Sequence, residues 1–131
     1  MGDGLMAIFG VPEKDEEHAI RAVRCGLSIL NKHSKFISDL PNNKKFNIRI
    51  GIESGEVIAG YMGSSKRLEY TAMGYAVVAA KRIESLTKPN SIYIGRETYR
   101  KICHRFKIFF VGILSLQKGE GEIEVWEVLR D

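Results

Sequence analysis

Phe46-Asn47-Ile48-Arg49-Ile50-Gly51-Ile52-Glu53-Ser54-Gly55-Glu56-Val57-Ile58-Ala59-Gly60-Tyr61-Met62 is the stretch that decides the fold. It starts with strict alternation. Phe46, Ile48, Ile50 and Ile52 share one face, and Asn47, Arg49 and Glu53 the other, which is the pattern of a half-buried strand. Ser54-Gly55 interrupts the pattern before a second apolar run from residue 57 to 62, so the spacing predicts a hairpin of two antiparallel strands.

Working outward, Pro41-Asn42-Asn43-Lys44-Lys45 reads as a turn that ends a long helix. That helix opens on the acidic Asp15-Glu16-Glu17, which suits its positive end, and runs towards Leu40 with Ile20, Val23, Leu27 and Leu30 on one face. Ahead of it, Leu5-Met6-Ala7-Ile8-Phe9 between Gly4 and Gly10 predicts a short buried strand. On the other side, residues 63–69 read as a polar loop and residues 72–86 as a second helix ending before Pro89-Asn90. A strand at 92–94, a helix at 97–104, a strand at 106–111 and an alternating strand at 122–129 complete the chain. This mixed order with a hairpin predicts an α+β domain, helices packed on a mostly antiparallel sheet.

The whole chain, residues 1–131, fits one domain with a real core. An apolar fraction of 44% against 27% charged places it among globular rather than disordered proteins. Twenty basic against sixteen acidic residues is too slight and too scattered an excess for a nucleic-acid footprint, and no nucleic-acid partner is expected. Cys25 and Cys103 are far apart with no metal-ligand spacing, so two reduced thiols are expected. His18, His33 and His104 show no ligand spacing either and read as ordinary surface or helix residues. The longest apolar stretch, residues 108–116, is about half of what a bilayer span needs, and the N-terminus has no signal-peptide character. No membrane segment and a cytoplasmic location are expected.

Three motifs, in order and spacing, carry a specific likeness: Gly2-Asp3-Gly4-Leu5-Met6-Ala7-Ile8-Phe9-Gly10; Arg49 to Gly60 as quoted above; and Tyr70-Thr71-Ala72-Met73-Gly74 leading to Ala80-Lys81-Arg82-Ile83-Glu84-Ser85-Leu86. Lys118-Gly119-Glu120-Gly121 with Val125-Trp126-Glu127-Val128 adds a fourth. Together they resemble the catalytic domain of class III adenylate and guanylate cyclases, of the bacterial adenylate cyclase type. The resemblance implies a ferredoxin-like, mixed and mostly antiparallel sheet with helices packed on it. It implies head-to-tail dimers, as a homodimer or with a second cyclase-type chain, in which the ribose 3′ hydroxyl of ATP or GTP attacks the α-phosphorus and pyrophosphate leaves. It further implies two Mg²⁺ or Mn²⁺ ions held by a pair of carboxylates, oxygen donors that suit hard cations.

Carried over residue by residue, the likeness makes Asp3 a metal ligand, Arg82 the catalytic cation at the α-phosphate, and Thr71 and Lys118 nucleotide-binding residues. A guanidinium suits the first of these phosphate roles because it donates two parallel hydrogen bonds to developing charge. Thr71 stands where the family selects the purine and favours ATP over GTP. The plain readings are a turn aspartate, a solvated helix arginine, a basic turn lysine and, for Thr71, an N-cap of the following helix.

Two departures stand out. The family's first metal aspartate, with its strand, helix and phosphate-cradling loop, would precede Met1, so an N-terminally truncated domain lacking the first strand and helices is expected. Such a domain would leave a sheet edge and part of the apolar face of the first helix uncovered. Secondly, the family's Gly-Asp-x-Val-Asn is Gly74-Tyr75-Ala76-Val77-Val78 here, so an aliphatic side chain replaces the ribose-binding asparagine. Three functions follow: a cyclase half-site completed by a second chain, a non-catalytic dimerising or nucleotide-binding module, or a gene remnant.

Overall fold

The computed structural model describes residues 3–116, 119 and 121–130. The first regular element is α1 (His18–Ser38), followed by a single 3-10 turn (Asn42–Lys44), β1 (Arg49–Ile52), β2 (Ile58–Ser64), β3 (Arg67–Met73), α2 (Tyr75–Leu86), β4 (Ser91–Ile94), α3 (Arg96–Ile102), β5 (Ile108–Ser115) and β6 (Glu122–Val128).

Four strands form one sheet in the order β1-β4-β6-β5, and β2 pairs with β3 as a separate antiparallel ribbon. β1 runs parallel to β4, with Ile50 opposite Ile92, whereas β6 is antiparallel to both β4 and β5. The fold is therefore α+β with a mixed sheet, as the resemblance implied. All four residues of β4 are buried, so it is covered on both faces.

α1 and α3 lie on one face, where Val23, Leu30 and Ile102 pack with Ile92, Ile94 and Val128. Ile48, Ile50 and Ile52 join this cluster, as the alternation predicted. Gly26 lets α1 settle close to the sheet, since a methyl there would stand 3.0 Å from Ile92 Cδ1. α2 covers the other face through Ile83, which packs with Tyr93 and Val125. These clusters supply most of the driving force for the fold, through apolar area removed from water.

Several sequence expectations are corrected. β1 pairs with β4 and not with β2; the hairpin is made by β2 and β3, joined at Ser64 to Arg67. The polar stretch 63–69 thus forms the tight end of a ribbon rather than a loop. The second helix begins at Tyr75, because Ala72 and Met73 are paired to Ala59 and Ile58. Phe46 lies ahead of β1 and is exposed, its ring 5.1 Å from that of His33 and 6.3 Å from that of Phe36. β5 continues past Gly112, where a register shift and a φ of 141° absorb a bulge.

The run from 5 to 9 forms no strand, and Leu5 is 87% exposed. A strand exists only where its N–H and C=O groups meet a neighbour, and among the described residues none pairs with it. On α1, Val23 and Leu30 are fully buried and Ile20 and Leu27 pack partly, while Ile29 and Phe36 stay exposed. Both cysteines are free thiols. No helix of the described residues is long and apolar enough to cross a membrane.

Candidate active site

The site is built from α2 and the ribbon that leads into it. At helical spacing, Tyr75, Val78 and Arg82 fall on one stripe of α2, while Ala76, Ala79 and Ile83 form a buried stripe about 100° further round the helix. Tyr75 is 72% and Val78 47% exposed. Arg82 is half buried, on a helix surface shared with Lys81, whose ammonium lies 3.5 Å from Glu84.

Thr71 sits on β3 opposite Gly60, on the same face of the ribbon as the exposed pair Ile58 and Met73. It is not a helix cap: Gly74 precedes α2, with no side-chain cap bond. Gly74 holds a φ of +146°, open to glycine and strained for any side chain, and so converts strand to helix in one residue. Thr71 and Arg82 therefore ride on directly joined elements. Asp3 does not: it is exposed, in a bend of the unpaired segment ahead of α1. Lys118 lies outside the described residues; among the described ones nearby in sequence, Leu116 N–H donates to Gly121 O at 2.8 Å.

A divalent cation held by protein needs several converging oxygen donors. No three His, Cys, Asp or Glu side chains gather for one among the described residues, and Asp3 projects as an exposed carboxylate. The donors among the described residues do not fit the cation by themselves.

One polar cluster escaped the sequence reading. Glu53, assigned by alternation to the solvent face, is half buried at the end of β1. Its Oε1 accepts from Ser54 N–H at 2.8 Å, from Thr98 N–H at 3.0 Å and from the Thr98 hydroxyl at 3.2 Å. The Ser54 and Thr98 hydroxyls are 2.7 Å apart. The only hint in sequence was a Thr two residues into α3. His33, read as ordinary, is also buried, and its Nε2–H donates to Phe46 O at 2.8 Å. A cavity of about 280 Å³ lies away from these residues, lined by Leu27, residues 104–107 and Leu129.

Comparison with known proteins gives this geometry a family. The adenylate and guanylate cyclase catalytic domain, as a family, matches residues 1–130. The chain belongs to this family. The cyclase domain is 32% identical over 123 residues to the receptor-type guanylate cyclase gcy-28 of Caenorhabditis elegans, covering 92% of this chain and 10% of that protein. It is 29% identical over 128 residues to an adenylate cyclase of Mycobacterium tuberculosis, covering 98% of this chain and 28% of that one. Among solved structures, the guanylyl cyclase Cya2 superposes with a TM-score of 0.84 at 30% identity, over 98% of this chain and 66% of its own. The guanylate cyclase domain of RhGC from Catenaria anguillulae, solved with GTP, gives 0.77 at 32% identity, over 92% and 64%. The cyclase domain thus spans a small part of these curated relatives and just under two thirds of the solved domains. Relatives of both nucleotide classes occur.

Proposed function

We propose that this cyclase domain is one half of a catalytic dimer that converts ATP to cyclic AMP and pyrophosphate, and that by itself it turns over ATP poorly. The carrying observation is the stripe Tyr75-Val78-Arg82 on α2, where the arginine is kept and an aliphatic side chain stands one turn before it. Arg82 donates two hydrogen bonds to the α-phosphate as charge develops during attack by the ribose 3′ hydroxyl. Val78 offers the ribose neither donor nor acceptor, so the attacking hydroxyl is left unoriented. Thr71 and Lys118 contact the purine and the triphosphate, and Asp3 gives one carboxylate to a metal site that a second chain completes.

The test is to incubate the purified chain with ATP or GTP and Mn²⁺, alone and mixed with a cyclase-type domain that carries the asparagine and a full carboxylate pair. The chain alone should form no cyclic nucleotide above background. The mixture should produce cyclic AMP in preference to cyclic GMP, with loss on Arg82→Ala. Clear Asp3-dependent turnover by the chain alone would overturn the impairment, and silence in every mixture would remove the half-site. A non-catalytic dimerising module is the second reading, favoured by the exposed Ile58, Met73 and Tyr75 around the same surface.

A further inference from the structure

The Glu53 cluster joins the end of β1, which lies directly under the arginine helix, to the start of α3. Glu53 closes β1, and its carboxylate reaches Thr98 in the first turn of α3, while the next residues, 54–57, run back over the start of α2. A methyl on Gly55 would stand 3.3 Å from Ala76 Cβ, and one on Gly74 would stand 3.0 Å from Glu56 O. Gly95 is the meeting point: a side chain there would collide with the Glu53 carboxylate and approach Ile83 Cδ1 to 2.9 Å. Ile83 is fully buried and is the neighbour of Arg82.

The proton order in this cluster follows from its acceptors. An ionised carboxylate can only accept, so the Thr98 hydroxyl donates to Glu53 and the Ser54 hydroxyl donates to Thr98. Ser54 and Thr98 are both buried, and every polar group named here is satisfied. A buried network with all its members bonded fixes one geometry, and removing its central acceptor leaves three donors unpaired.

We propose that Glu53 is a positioning residue: from the end of β1 it locks the 54–57 loop and the Ile83 side of α2, and so sets where Arg82 stands. The consequence for turnover rests on the half-site reading above; the consequence for α2 does not.

Hydrogen exchange on the full chain separates the two. In Glu53→Ala, amides of residues 54–57 and 75–86 should exchange about tenfold faster or more, the loss expected for hydrogen bonds to a charged group. Amides of α1 should change by less than about twofold, since local opening does not follow global unfolding. Glu53→Gln, which keeps an acceptor oxygen of the same shape, should return α2 to within about threefold of the parent. Uniform acceleration across the chain, acceleration confined to α3, or a Gln variant no better than Ala would each overturn the proposal. If Glu53→Ala does not fold, Thr98→Val removes the two bonds of the Thr98 hydroxyl and keeps the Glu53 carboxylate, and about threefold or more faster exchange confined to the same two segments is then required. In mixtures with a complementing domain, Glu53→Ala should lower kcat about tenfold with KM for ATP within about twofold, the signature of misplaced catalytic groups. A rise in KM alone overturns it. Absence of turnover with the unsubstituted chain would count against the half-site, while the exchange pattern still decides the role of Glu53.

Discussion

Gly51 of β1 lies directly against the backbone of α2: a methyl in place of its α-hydrogen would collide with Glu84 N and stand 2.6 Å from Ala80 O. Both neighbours are main-chain atoms inside a helix, so neither can rotate away. Gly51→Ala should therefore cost about 1–3 kcal/mol, the range for overpacking a filled interior. Urea unfolding should show a lower midpoint with an unchanged slope. An unchanged midpoint would mean that α2 can lift off β1 at no cost, and the close approach would lose its importance.

Val78 is 47% exposed. Val78→Asn should accordingly change stability by no more than about 0.5 kcal/mol, as surface substitutions do. Its effect on turnover should be of another order. If the missing amide is what limits this face, the substitution should raise cyclic AMP formation about tenfold or more in a complemented mixture. A flat response would assign the impairment to something other than position 78.

What the sequence could disclose follows from what each signal measures. The period of α1 was readable because Val23 and Leu30 sit on a face the helix alone defines. Alternation in Ile48, Ile50 and Ile52 correctly reported a buried face, but it is silent on the partner strand. β1 therefore seemed to pair with β2, its neighbour in sequence, when it pairs with β4 across the ribbon and α2. Glu53 was misread for the same reason: its partner Thr98 lies on a distant element. Residues 5–9 have strand composition without a strand to pair with among the described residues. Of the candidate site, helix spacing alone puts Tyr75, Val78 and Arg82 on one stripe, whereas the roles of Asp3, Thr71 and Lys118 come from family likeness.

His33 is buried, and its ring both meets Phe46 edge-on and bonds the Phe46 carbonyl at 2.8 Å. It thereby ties α1 to the segment entering β1. His33→Leu keeps the bulk but leaves that carbonyl without its donor, which should cost about 1–3 kcal/mol. His33→Gln, whose amide N–H can reach the same oxygen, should recover part of the loss in thermal unfolding. Equal losses for the two variants would show that ring packing, not the hydrogen bond, is what matters.

Arg82 gives the sharpest test of the chemistry, because Lys keeps its charge and discards its geometry. The ammonium is a point charge on a flexible stem, whereas the guanidinium presents a planar fork to two phosphate oxygens at once. If Arg82 only attracts the triphosphate, Arg82→Lys should keep most of the turnover of a complemented mixture. If it holds the α-phosphate as charge develops, Arg82→Lys should fall about a hundredfold in kcat, near Arg82→Ala, while nucleotide affinity changes little. The second outcome is expected. Ile83 beside it is fully buried and fixes the rotation of α2, so the arginine is presented by a rigid element. Preorganised donors on such elements act mainly on the transition state. Unfolding midpoints of the two variants should agree closely with each other, which would separate lost chemistry from lost structure.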